Sequence, residues 1–289
     1  MAIAFRNKTE NGGSSTTSRA ANKPTDTANG DILIASVYVE VPFTETITAP
    51  ADWNLLDRNT YLFDASNSAC QAVYWKRAAS EGASWTWSWT SDKWNHINVL
   101  AYSGCLASGS PIDASSTNKG IVGYELNQPV GLSITTTVAN TLIVGSTGYV
   151  LGNALTPPAG MAERVDFDGG EQCDVAKAGT GATGDQAWSV GEGELGVGFI
   201  NVWLTVLLAL APAVSAQYAY PISDLASGSW TPSTGGTLFG TIDEPTTPSD
   251  TDYDLSAASP SNDTMTVQLT PLDIPAAGTT TLHIRAVLP

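Results

Sequence analysis

The chain has 289 residues, with 12 Lys and Arg against 28 Asp and Glu, a net charge of −16 and only 14% charged residues. Few Lys and Glu to clothe helices, together with 27 Gly and 16 Pro, argue against a helical protein. The acidic balance leaves no basic patch for phosphates, so no nucleic-acid partner is expected. His96 and His283 are too few for an imidazole metal centre, and no cofactor is expected. The acidity is uneven: residues 121–289 carry 17 acidic groups and three basic ones, Arg164, Lys177 and Arg285. That half presents either a solvated acidic surface or a docking face for a basic partner.

The first residues, Met1 to Arg6, hold no apolar run of the kind a secretory signal needs. A β-rich segment, Asp31–Val41, follows the Asn29-Gly30 turn. Ala72–Lys76 reads as a second strand, Ser84–Thr90 alternates strictly, and Asn95–Tyr102 follows it. Then come Gly131–Thr137, Thr141–Tyr149, Cys173–Lys177, Gln186–Val190 and Gly198–Leu210. Short strands between Gly, Pro, Asn and Ser turns point to a sandwich or jelly roll. The apolar run Val197–Ala216 is long enough to resemble a membrane span. Its glycines, Asn201, Thr205 and Pro212 make it a buried strand instead, and no membrane partner is expected.

An internal repeat organises the first 210 residues or so. Ala28-Asn29-Gly30-Asp31-Ile32-Leu33-Ile34 has its counterpart in Ala139-Asn140-Thr141-Leu142-Ile143-Val144. Thr48-Ala49-Pro50-Ala51-Asp52-Trp53 matches Thr156-Pro157-Pro158-Ala159-Gly160-Met161. Cys70 and Cys173 each precede the end of a strand, at Lys76 and Lys177. Trp87-Ser88 matches Trp188-Ser189, and Ile97-Asn98-Val99 matches Ile200-Asn201-Val202. The order is kept while the offset shrinks from 111 through 108 to between 101 and 103. Two similar halves packed face to face would make one sandwich. After Pro212 the texture turns to Pro, Thr, Ser and Asp, with weak strands at Gly236–Ile242, Thr264–Leu269 and Thr280–Leu288. The expected organisation is therefore a sandwich domain over residues 1–212 and a small β module over 213–289.

Chemistry-bearing motifs are scarce. No nucleophile elbow and no phosphate-binding loop occurs. The carboxylate pairs Asp166/Asp168 and Glu192/Glu194 sit in Gly-flanked stretches and read as solvated loop acids rather than a glycosidase pair. Asp250, Asp252 and Asp254 alternate as at the start of a calcium loop. Leu255 stands where the turn glycine of an EF-hand belongs, and no bidentate Glu follows at the right distance. Cys70, Cys105 and Cys173 fit no zinc template and are expected to be free thiols. Trp85, Trp87 and Trp89 fall on one face of a strand, with Trp94 five residues on. They form either a candidate glycan platform or a core layer. The opposite face of Ser84, Thr86, Ser88 and Thr90 favours the core.

The succession Asn29-Gly30-Asp31-Ile32-Leu33-Ile34, Pro50-Ala51-Asp52-Trp53, Val73-Tyr74-Trp75-Lys76-Arg77-Ala78, Ser84-Trp85-Thr86-Trp87, Ala101-Tyr102-Ser103-Gly104, Pro111-Ile112-Asp113 and Pro157-Pro158-Ala159-Gly160-Met161 resembles a β-sandwich domain of tailed-phage structural proteins. It covers about residues 1–212. Ser229-Trp230-Thr231-Pro232, Thr241-Ile242-Asp243-Glu244 and Pro248-Ser249-Asp250 resemble a second module of phage fibre and virion proteins. The fold expected is all-β: a jelly-roll-like antiparallel sandwich of two similar halves plus a small C-terminal β module.

The resemblance implies a non-enzymatic virion protein, assembled in the host cytoplasm. It would be displayed as a capsid decoration or head fibre, or as a tail-fibre or baseplate component. A carbohydrate-binding adhesin for host-surface glycans is the alternative. The implied partners are other virion proteins and further copies of the chain in a homo-oligomer. Leu282, Ile284 and Val287 lie on the strand expected to make the assembly contact.

Overall fold

The computed structural model describes residues 2–40, 45–62, 68–122, 128–149, 155–167, 169–190, 201–213, 221–226, 231–232, 254–255 and 266–269. Two compact units divide the chain, Met1–Val214 and Ser215–Pro289. The described regular structure is all strand, in antiparallel pairs.

The first half of the larger unit supplies β1 (Ala4–Asn22), β2 (Ile32–Val39), β3 (Asn54–Leu62), β4 (Ser68–Arg77) and β5 (Ser84–Ser103). They form a sheet in the order β1-β5-β2-β4-β3. The second half supplies β6 (Ile112–Val122), β7 (Val130–Gly131), β8 (Thr135–Thr136), β9 (Thr141–Tyr149), β10 (Leu155–Thr156), β11 (Ala162–Phe167), β12 (Gly170–Lys177), β13 (Gly181–Ala182), β14 (Gln186–Ala187), β15 (Ser189–Val190) and β16 (Asn201–Leu210). Its long strands form a sheet in the order β11-β12-β9-β16-β6, and its short ones pair as β14·β7, β13·β8 and β10·β15. Exchanging β1, β2, β3, β4 and β5 for β6, β9, β11, β12 and β16 turns one order into the other. The repeat in the sequence is a repeat in topology. The long strands of each half stay within one sheet, so the sandwich arises from repetition of one strand order.

The sheets face each other through Ile32, Ile34, Val73, Leu100 and Tyr102 on one side and Leu142, Val144, Val165, Val206, Leu208 and Leu210 on the other. Strand alternation explains the choice, since residues two apart share a face. A polar belt crosses the middle of this layer. Gln71 Nε2 donates to Ser36 Oγ at 3.1 Å in the first sheet, and Gln172 Nε2 donates to Ser146 Oγ at 3.0 Å in the second. Beyond the belt, Tyr38 stacks on His96 at 4.9 Å between ring centroids. These rings lie directly against the backbone of Gly148 and Gly170, where a Cβ would collide with Tyr38 and His96 respectively. Asn59 Nδ2 donates to the Asn118 carbonyl at 2.6 Å and Lys119 Nζ to the Thr60 carbonyl at 2.7 Å, joining β3 to β6 along one edge.

The outer faces are also apolar and are covered. On the first sheet, Leu33, Val37, Cys70, Tyr74 and Val99 pack beneath Ile47, Trp53, Trp85, Trp87 and Trp89. On the second, Ile143, Cys173, Trp203 and Leu207 pack beneath Ile134, Leu155, Met161 and Trp188. The cover of the first sheet comes from the β1–β5 ribbon itself. Asn11 Nδ2 reaches the Ala20 carbonyl at 2.8 Å, although nine residues of straight strand would span roughly 30 Å. The ribbon therefore turns a corner. Register shifts between Gly12/Ser14 and Thr16/Ser18 mark it, and β-bulges of this kind bend a strand pair.

Several expectations change. Ser84–Thr90 and Asn95–Tyr102 are one continuous strand, β5, bent at the corner. Gly131–Thr137 is reduced to two-residue strands. The polar strands β1, β3, β6 and β11 carry no strong sequence signal, and all four are sheet edges. Val197–Ala216 contains β16, a buried strand between β9 and β6. Among the described residues no helix is long and apolar enough to cross a membrane.

In the smaller unit, β17 (Pro221–Ala226) pairs with β20 (Thr266–Leu269), and β18 (Thr231–Pro232) pairs with β19 (Asp254–Leu255). The strands expected at Gly236–Ile242 and Thr280–Leu288 lie outside the described residues.

Candidate functional site

The tryptophan stripe is a core layer. Trp85, Trp87 and Trp89 are 7%, 0% and 5% exposed. Trp53 meets Trp85 and Trp87 edge-on at 5.2 and 5.1 Å. The polar tips are used as well: Trp85 Nε1 donates to Glu81 at 3.1 Å, and Trp89 Nε1 to the Thr16 carbonyl at 2.6 Å. A sugar platform at Trp85, Trp87 and Trp89 is thereby corrected, because no ring face is open. Trp94 lies past the corner and packs with the inter-sheet cluster instead, edge-on to Tyr38 at 6.3 Å and to His96 at 5.8 Å.

One carboxylate fastens the corner. Glu45 Oε1 accepts hydrogen bonds from Thr90 N (2.6 Å), Thr90 Oγ1 (2.8 Å) and Ser91 N (2.7 Å), and Oε2 accepts from Ser91 Oγ (2.8 Å). Burial pushes its pKa up. The hydrogen bonds from Thr90 and Ser91 outweigh that and leave the carboxyl below its ordinary value.

A recess of about 290 Å³ opens where β3 begins opposite Trp75 and leaves the end of β4 uncovered. Asp52, Asn54, Trp75, Lys76, Arg77 and Glu81 line it. Lys76 Nζ sits 2.9 Å from Glu81 Oε2 and 3.8 Å from Asp52 Oδ2. Burial raises the Glu81 pKa, but bonds from Ala79, Lys76 and Trp85 with the Lys76 charge carry it below its ordinary value. The recess joins a half-buried indole to charged and amide groups, a combination that suits a polar ring with one apolar face.

In the second sheet, Arg164 holds Asp174 through two hydrogen bonds of 2.8 Å, and its guanidinium lies 4.4 Å over the Phe5 ring. Tyr102 donates to the same Asp174 at 3.0 Å, so this cluster ties the sheets together along the β1–β11 edge. On the other face of that edge Glu171 is fully buried. Burial first, then the nearby charges of Glu163 and Asp166, raise its pKa to about 8. Asp166 belongs to strand β11 and stands opposite Glu171, which corrects its reading as a loop acid. Asp168, Glu192 and Glu194 lie outside the described residues.

Among the described residues no three His, Cys, Asp or Glu side chains are grouped to hold a metal ion. Asp250 and Asp252 lie outside them, as do Leu282, Ile284 and Val287, while Asp254 contributes backbone to β19. All three cysteines are free and buried. Cys70 lies under the outer cover of the first sheet and Cys173 under that of the second. Their equivalence in the repeat also fails in register, since Cys70 stands opposite Val39 but Cys173 opposite Gly145.

The sequence did not single out Glu45, Glu81 or Glu171. Isolated acids carry no pattern, and their importance comes from partners distant along the chain. No protein-family model matches the chain, and no curated protein or solved structure similar to it was found.

Proposed function

We propose that this chain is a non-enzymatic structural protein of a tailed-phage virion, assembled in the host cytoplasm and displayed on the particle surface. Its place is a capsid decoration or head fibre, or a tail-fibre or baseplate component. The observation that supports this reading is the use the fold makes of the residues behind the resemblance. Asp31 accepts from Ala28 N at 2.8 Å and from Arg6 at 2.7 Å. Asp52 takes a positive φ of 66° ahead of buried Trp53. Gly104 takes a φ of 76°, and Asp113 accepts from Thr137 N at 2.8 Å. Trp85 and Trp87 are core. These are turn-setting and core residues, which suits a protein whose task is to hold a rigid surface in place.

The partners under this reading are other virion proteins and copies of the chain itself. The separate compact unit beginning at Ser215 is the natural assembly contact. Mass spectrometry of purified particles, with antibody labelling on intact ones, tests the reading. Detection at constant stoichiometry on the surface is expected, and absence from washed particles would overturn it. Removing residues 213–289 should abolish oligomerisation or particle attachment while the sandwich stays folded.

A host-glycan adhesin remains the second reading, favoured by the recess beside Trp75. A glycan array probed with the whole protein and with Trp75→Ala separates the two. Binding lost in the variant supports the adhesin, and no binding by either leaves the scaffold reading.

A further inference from the structure

The β11–β12 edge carries three carboxyl groups, Glu163, Asp166 and Glu171, on one face, and the one cation on that face among the described residues, Lys177, stands at the far end of β12. Asp166 stands directly opposite Glu171, and Glu163 opposite Cys173. Glu163 and Asp166 are exposed, whereas Glu171 is 0% exposed. Among the described residues neither Glu171 carboxyl oxygen has a hydrogen bond of good geometry, and the Trp188 indole N–H beside it, which lowers its pKa, does not outweigh burial.

The basic side chains are engaged elsewhere or distant. Every Lys and Arg of the chain except Arg285 is described. Arg164, between Glu163 and Asp166 on β11, binds Asp174 on the opposite face. Lys177 Nζ donates to the Ala182 carbonyl. The charges that act on Glu171 are those of Glu163 and Asp166, both negative. From the packed elements, β9 offers Thr147 and Tyr149, β12 offers Cys173, and β16 offers Trp203 and Thr205. None of these brings a positive charge.

We propose that this edge is a proton-held latch, in which Glu171 sits as a neutral acid and its ionisation loosens β11 and β12 from the second sheet. A buried carboxylate with a single weakly placed indole N–H and no counter-charge is too costly to keep. The proton removes that cost while the edge is closed. When the proton leaves, the charge gains most by reaching water, and the elements that must yield are the six-residue edge strand β11 and its neighbour β12, which carries Glu171. Edge pairs of this length open at low cost compared with global unfolding.

The wild-type protein can be tested directly. A carbon-13 NMR titration of the Glu171 carboxyl should show a midpoint near pH 8, and a midpoint in the ordinary carboxylate range would overturn the latch. Amide exchange, corrected for intrinsic rate, should lose protection in Ala162–Phe167 and Gly170–Lys177 by up to about tenfold per pH unit as pH rises from the ordinary carboxylate value of 4.5 toward that midpoint, and should level off above it. Glu171→Gln should remove this pH dependence, and an unchanged dependence in the variant would overturn the proposal. Paired Glu163→Gln and Asp166→Asn substitutions should lower the midpoint by relieving the like charges. If millimolar calcium instead closes the edge at alkaline pH in the wild type, the cluster is a cation site and the latch is wrong.

Discussion

Trp87 and Trp188 occupy the same place in the two halves. Each is 0% exposed and each anchors the outer cluster of its own sheet. Each also precedes a serine that pairs with a threonine from an earlier loop: Ser88 with Thr48, and Ser189 with Thr156. Asp52 and Gly160, in the loops those threonines begin, both take positive φ, at 66° and 85°. The repeat therefore reproduces the covers as well as the sheets. Trp87→Ala and Trp188→Ala should each cost about 3–5 kcal/mol, as truncation of a buried aromatic does. Because the two rings sit in separate clusters, the double variant should lose the sum of the single losses. Urea unfolding midpoints of the three variants measure this, and strong non-additivity would show that the covers are coupled.

Periodicity made the central strands legible. β2, β9 and β16 are β-branched and apolar because both of their faces are buried, so their sequences announce themselves. The edges β1, β3, β6 and β11 have one half-exposed face, and they carry Asn, Ser, Thr, Gly and charge where an edge must resist pairing. Their sequences look like loops. The repeat was legible through its turns and its tryptophans, since those positions have one acceptable chemistry. The match of Cys70 to Cys173 misled because strand composition recurs by itself without fixing register. The polar residues with the greatest local consequence, Glu45 and Glu171, had no neighbour in sequence to mark them.

The corner depends on Glu45 being ionised. Its pKa is below the ordinary 4.5, since the bonds from Thr90 and Ser91 outweigh burial. A carboxyl with a depressed native pKa adds stability that is present above its unfolded value and is lost as pH falls through the native one. Stability of the wild type should therefore fall below about pH 4.5 with a contribution that Glu45→Gln lacks. At neutral pH Glu45→Ala should cost about 2–3 kcal/mol, since charge-assisted bonds are removed and buried donors are left over. Thermal melts from pH 3 to 7 compare the three proteins, and parallel curves would show that Glu45 is not the fastening.

The sandwich is closest where aromatic rings of the first sheet rest on glycine backbone of the second. A Cβ at Gly148 would strike the Tyr38 ring. Both sheets are held by hydrogen-bonded ladders, so neither yields locally. Gly148→Ala should cost about 1–3 kcal/mol through overpacking. The companion change Tyr38→Leu should recover part of the loss by emptying the space the methyl needs. A double-mutant cycle on denaturant unfolding reads the coupling, and zero coupling would place the strain elsewhere.

The thiols test how completely the layers exclude water. Cys105 is buried and its pKa is pushed up to about 12, chiefly by desolvation, with Arg77 pulling it down and Asp31 up. Burial drives the Cys173 thiol well above its ordinary value as well, helped by Glu171 and Asp174. Cys70 lies beneath the tryptophan cover, with Arg58 Nε 3.1 Å from its sulfur. The thiolate is the reactive form, so neither raised thiol supplies it at neutral pH, and the cover denies access to the third. Native protein at pH 7.5 should therefore react with none of its thiols on the timescale of minutes. Denatured protein should titrate all three. Trp87→Ala should expose Cys70 first, because that ring shares its cluster, while Cys173 on the other sheet stays protected. Mass spectrometry of alkylated peptides assigns the order, and simultaneous labelling of Cys70 and Cys173 would show that the two covers open together.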